Sequence, residues 1–205
     1  GFDSIPGSRT DACTIAKGYR ARVLAPWGTP LNQKAAPWKP DGSNTAVDQA
    51  NAMGMHHDGM HFFPIDGSSV DGLLAINFEY IDPAALHPAG PTRAANGKRP
   101  AEEVRKEINA HGAGVVRLRN VHGHWQVVEN DPLNRRFTTA SPMHISGPLR
   151  GTAHVKTPYS TAGTHCRGTN NNCGNGYTPW GTYLTCEENW PGIFVNHGTC
   201  PEDQR

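Results

Sequence analysis

Two stretches of the chain hold residue types that chemistry needs. The first is Leu73-Leu74-Ala75-Ile76-Asn77-Phe78-Glu79-Tyr80. As a strand it sends Asn77 and Glu79 to one face, with Leu73 and Ala75, and Ile76, Phe78 and Tyr80 to the other. An amide oxygen beside a carboxylate suits a hard cation, which takes oxygen ligands. The competing reading is a strand with one wet face. The second stretch runs from Asn170-Asn171-Asn172-Cys173-Gly174 through Thr178-Pro179-Trp180-Gly181-Thr182 to Cys186-Glu187-Glu188-Asn189. Its Asn/Gly run tolerates positive φ and exposes backbone groups. Strand neighbours face opposite ways, so one of Glu187 and Glu188 is expected to face a site. Two adjacent like charges point to a cation nearby. The competing reading is a turn followed by a solvated strand end.

Three further groups carry weaker signals. His56-His57-Asp58-Gly59-Met60-His61 has the side chains of a transition-metal site, but Asp58-Gly59 is also a plain turn signal. His122 and His124 read as structural. Arg135 and Arg136 offer guanidinium groups that match phosphate bidentately, against a loop anchored on a carboxylate. No G-x-S-x-G elbow, P-loop or dinucleotide fingerprint is present.

These residues must be held by something, and the composition says what kind of scaffold. The 205 residues include 23 Gly and 17 Pro, too many turn formers for a helical bundle. With 19 basic against 18 acidic residues, a basic-patch nucleic-acid binder is excluded. No apolar run approaches the roughly 20 residues of a membrane span. Five cysteines at 13, 166, 173, 186 and 200 show no CxxC, so a structural zinc is not indicated, and an odd count leaves one thiol unpaired within the chain. Strands are expected at His61 to Ile65, Gly72 to Tyr80, Val115 to Val121, Trp125 to Val128 and Thr182 to Glu188. The third and fourth should join in a hairpin at His122-Gly123-His124. A short helix is expected within Thr45 to Met53. A firmer one spans Ala101 to His111, with Pro100 before it, Glu102 and Glu103 in its first turn, a Glu102–Lys106 pair, and Gly112 ending it. Residues 83–100 and 131–178 read mainly as loop. The fold class is mainly β: a sandwich, barrel or propeller.

Taken in order, these blocks resemble the PhoX family of bacterial alkaline phosphatases. The collinear stretches include Gly1-Phe2-Asp3-Ser4-Ile5-Pro6, Gly72-Leu73-Leu74, Asn77-Phe78-Glu79-Tyr80, Ala110-His111-Gly112, Asn134-Arg135-Arg136 and Gly147-Pro148. The Thr-Pro-Trp-Gly-Thr to Cys-Glu-Glu-Asn block is the most specific. The resemblance implies part of a β-propeller with inserted loops and a centre of calcium and iron held mainly by carboxylates. It implies a periplasmic or secreted enzyme, exported by the twin-arginine route, that hydrolyses small phosphate monoesters as a monomer. Carried over, Asn77, Glu79, Glu187 and Glu188 become candidate metal ligands. The family also uses a cysteine on iron; Cys173 and Cys186 are the candidates, since the loop after Tyr80 has none. Arg135 and Arg136 become candidate phosphate binders.

A propeller needs at least four blades of roughly 40–45 residues. Residues 1–205 are therefore expected to be the N-terminal portion of a single phosphatase domain. Two other readings use the same carboxylates: a non-catalytic, calcium-stabilised binding module, and a metal-dependent propeller lactonase or esterase.

Overall fold

The computed structural model describes residues 1–189. Its centre is an antiparallel sheet. Strand β1 (His57–Pro64) pairs with β2 (Asp71–Phe78), and β2 pairs with β3 (Gly112–Val121). The outer edge of β3 is shared by β4 (His124–Val127) and β5 (Arg135–Phe137). Two separate hairpins follow, β6 (Pro142–His144) with β7 (His165–Arg167), and β8 (Asn172–Tyr177) with β9 (Tyr183–Glu187). Among the described residues no closed barrel forms, and the fold is mainly β with few helices.

Alternation along β2 and β3 builds the core. Ile76, Phe78, Val116 and Leu118 turn to one face and pack on Leu31 and Met53. Helix α1 (Ala46–Ala50) packs on α3 (Ala101–Ala110), and Leu86 of α2 (Pro83–Leu86) joins Ala110 and Met55 in a second, smaller core cluster. Thr45 and Asp48 cap α1 reciprocally, a capping box. The two longer helices are tied by polar contacts: Glu102 Oε1 accepts from Ala46 N at 2.8 Å, and Asn109 Nδ2 donates to Ala46 O at 2.8 Å.

Several expectations change here. Lys106 does not pair with Glu102. It is buried, and its ammonium donates to the carbonyls of Gly42 and Leu86, both at 2.6 Å. Burial also pushes its pKa down. The expected loop 83–100 opens with α2, started by Pro83 and capped by the Asp82 side chain. Residues 131–178 hold β5 to β8, mostly three-residue strands held by distant partners. Gly112 does end α3, for a backbone reason: its φ is +108°, and a Cβ there would meet the Phe137 carbonyl oxygen at 2.0 Å. Among the described residues Cys13, Cys166, Cys173 and Cys186 form no disulfide with one another, and Cys200 lies outside them.

Candidate metal centre

Two β-bulges face each other beside the end of β2. The register of β1 against β2 shifts between His57 and Met60, and that of β8 against β9 between Asn172 and Asn175. A bulge re-aims a side chain that regular alternation would send elsewhere. Asp58 sits on the first bulge and Cys173 on the second. Glu79 follows directly after β2. Donor atoms of Asp58, Glu79 and Cys173 all lie within 4.8 Å of one another.

The bulges are held together closely. Asn77 is wholly buried. Its Nδ2 donates to the Cys173 carbonyl at 2.8 Å and to the Gly174 carbonyl at 3.3 Å. Its Oδ1 accepts from Thr185 Oγ1 at 2.8 Å and lies 3.0 Å from the Tyr183 hydroxyl. That hydroxyl is also 2.8 Å from the Gly59 carbonyl, in the bulge of β1. One buried amide thus joins β2, β8 and β9. At Gly59 there is no room for a side chain: a Cβ would meet Asn175 Oδ1 at 2.6 Å and the Cys173 carbonyl oxygen at 2.7 Å.

Glu79 is fixed through its backbone. Its N–H donates to the His56 carbonyl at 3.0 Å, and the neighbouring Tyr80 ring stacks on His56 at 3.8 Å between centroids. Asn171 donates to the Glu79 carbonyl, and Glu188 N–H to the Asn171 carbonyl at 3.0 Å. Asn171 adopts φ +48°, which Asn tolerates better than most residues.

The electrostatics describe an acidic cluster short of positive charge. Burial raises the Glu79 pKa, helped by the negative charges of Asp58 and Glu188. The Cys173 thiol is pushed up to about 11, first by its hydrogen bond to Asp58, then by burial and the surrounding carboxylates. Tyr183 is raised to about 12 by burial and by Asp58. A cation placed among these groups would reverse the shifts of Glu79 and Cys173, since charge beside a ligand governs its protonation.

The donor set fits a metal, and its chemistry narrows which. Two carboxylates suit any hard cation, calcium included. A thiol is a poor calcium ligand and a good one for a transition ion such as iron. Next to Cys173, Asn172 Oδ1 is buried without a hydrogen-bond donor among the described residues, leaving a further oxygen uncommitted.

The expected site residues divide. Glu79 and Cys173 come together, and Glu188 is close enough for its charge to act on both. Glu187 turns to the other side of β9, where its Oε1 accepts from Thr169 Oγ1 at 2.8 Å and Asn170 N at 2.9 Å. Cys186 is exposed outside the cluster. Asn77 Oδ1 accepts from Thr185 Oγ1 and shares the Tyr183 hydroxyl with the Gly59 carbonyl, so Asn77 ties together the segments around the cluster. Arg136 donates all five N–H groups to main-chain carbonyls: Ala52, Ala113, Phe137, Asn109 and His111. Its guanidinium also lies 4.5 Å over the Phe78 ring. All of its donors are therefore engaged by the main chain. Arg135 remains exposed and lines a groove of about 900 Å³ with Leu73, Ala75, Arg167, Thr185 and Glu187.

Asp58 is the cluster residue the sequence undervalued. It belonged to the histidine-rich segment, but the histidines scatter. His56 stacks on Tyr80, His57 meets Gly54 O and the Phe78 ring, and His61 stacks on Tyr177. The usable signal was Asp58-Gly59, a pair that marks a bulge here instead of a free turn.

Comparison with known proteins places this geometry. The family model described as alkaline phosphatase PhoX matches residues 1–205. A solved structure, Pseudomonas fluorescens PhoX in complex with vanadate, a transition state analogue, is similar with a TM-score of 0.91 and 39% sequence identity. The similarity covers 100% of this chain and 35% of that chain, so the chain spans about a third of its relative's length. No curated protein matches.

Proposed function

The chain belongs to the alkaline phosphatase PhoX family, and from that premise we propose that it supplies part of a metal centre for hydrolysing phosphate monoesters. The observation that carries the reading is the convergence of Asp58, Glu79 and Cys173 donors within 4.8 Å. In this reading Asp58, Glu79, Cys173 and Glu188 hold the ions, iron at the thiol and calcium or iron at the carboxylates. When bound, the ions supply charge neutralisation for the phosphoryl oxygens and lower the pKa of an attacking oxygen. Asn77, Tyr183 and Thr185 position the ligands. Arg135, exposed in the groove, is the guanidinium this reading assigns to a phosphate. Arg136 serves the scaffold.

Residues 1–205 act in this account as the N-terminal portion of one phosphatase domain whose remaining chain completes a β-propeller. The enzyme works as a monomer in the periplasm or outside the cell. A calcium-only structural module is disfavoured by the thiol in the cluster.

The test uses the whole protein on a chromogenic phosphate monoester, with and without a chelator. Chelator-sensitive release of phosphate is expected. A stability change on chelation without any turnover would instead mark a structural calcium module, and turnover of a lactone or carboxylic ester alone would mark the other enzyme class.

A further inference from the structure

Away from the acidic cluster, the β6–β7 hairpin carries two histidines directly across from each other. His144 pairs with His165 in the register. Ile145 N–H donates to the Thr164 carbonyl at 3.0 Å, and Gly168 N–H to the Ser141 carbonyl at 3.1 Å. Hydrogen-bonded pairs alternate along an antiparallel ladder, so His144–His165 falls at a non-hydrogen-bonded position, where the backbones approach most closely, about 4.5 Å between Cα atoms. The side chains share one face, and the ring centroids are 4.6 Å apart with planes inclined at 52°.

Both rings are exposed. The Nδ1 of His165 lies 2.9 Å from Thr164 Oγ1, which fixes the ring and leaves Nε2 for another partner. The strand pairing already holds the two imidazoles together, so little side-chain order remains to be imposed on binding. Imidazole nitrogen suits copper, nickel and zinc and does not suit calcium.

We propose that His144 and His165 form a second cation site, selective for a borderline transition ion such as Zn²⁺, Ni²⁺ or Cu²⁺ and chemically distinct from the carboxylate–thiol cluster. Two protein nitrogens leave the remaining coordination positions to water or to an outside ligand. The site therefore takes a labile ion and not a caged one.

The experiment titrates the whole protein with Ni²⁺ by calorimetry, in the presence of excess Ca²⁺. The same titration is run on His144→Gln, His165→Gln and a His122→Gln/His124→Gln control. Thermal melts confirm that each variant folds; exposed positions make this the expected outcome. The proposal expects one equivalent of Ni²⁺ to disappear in either single variant and to persist in the control. Copper electron paramagnetic resonance should show coupling to two nitrogens in the wild type and to one in each single variant. An unchanged stoichiometry in His144→Gln and His165→Gln, or loss of the equivalent in the control alone, overturns it.

Discussion

Asn77 Nδ2 donates to the Cys173 carbonyl at 2.8 Å, joining residues 96 positions apart in the chain. The contact links the end of β2, where Glu79 begins, to the bulge that aims Cys173. Replacing Asn77 with Ala leaves the Cys173 carbonyl and the Thr185 hydroxyl short of a buried partner, while the Tyr183 hydroxyl keeps the Gly59 carbonyl. Each such loss costs about 1–3 kcal/mol. Asn77→Ala is expected to lower the Tm and to weaken metal binding together. Asn77→Asp also removes the donor to Cys173, and should weaken metal binding by releasing the bulge even though it adds a carboxylate. Tighter metal binding by Asn77→Asp would make residue 77 a ligand position instead.

Gly59 tests the facing bulges from the other side. A methyl group there has backbone and side-chain atoms within 2.6 to 2.7 Å. Gly59→Ala should therefore push β1 away from β8 and separate Asp58 from Cys173. Metal content per folded protein, measured after purification, should fall while the sheet's circular dichroism persists.

Arg136 separates scaffold from substrate binding. Arg136→Met removes five hydrogen bonds to main-chain carbonyls, four of them part-buried. Since a hydrogen bond lost from a shielded carbonyl costs about 1 kcal/mol or more, a large fall in Tm is expected. Arg136→Lys should rescue little, because an ammonium has three donors and no planar fork. The folded fraction should retain its KM for a phosphate monoester. A raised KM with normal stability would return Arg136 to the phosphate.

A pH dependence follows from His111. Burial lowers its pKa below the ordinary 6.5, and the nearby Arg136 charge adds to the effect. A depressed folded-state value means the stability is present above pH 6.5 and is lost as pH falls through that lower value. The ring's Nδ1 meets the Glu107 carbonyl at 2.8 Å, a contact that a glutamine amide can also make. Thermal melts between pH 8 and pH 5 should show His111→Gln losing less Tm on acidification than the wild type. His57, whose pKa is lowered chiefly by desolvation of its ring, accounts for part of what remains.

What the sequence revealed depended on how local the cause was. The alternation of Leu73 to Phe78 and the helix from Ala101 were legible because period and capping act between near neighbours. Strands β5, β6 and β7 were not, since three residues each carry no period and their partners lie far along the chain. The Glu102–Lys106 spacing pointed to a surface pair, but the carbonyls of Gly42 and Leu86 compete for the ammonium only once the helix has docked. At the site, Glu79 and Cys173 were legible by type. Asp58 depended on a bulge, which a spacing rule cannot see. Nothing in the sequence neighbours of Arg136 reveals the five carbonyls that converge on its guanidinium.

The central claim is that Glu79, with Asp58 and Cys173, holds ions that hydrolysis requires. The most direct measurement is metal content and phosphatase rate of the whole protein carrying Glu79→Gln, determined on the same sample. The swap keeps the volume and removes the charge at a half-buried position, so folding should survive. The account predicts that bound metal and phosphate release fall together. Full activity with full metal content in Glu79→Gln would contradict it.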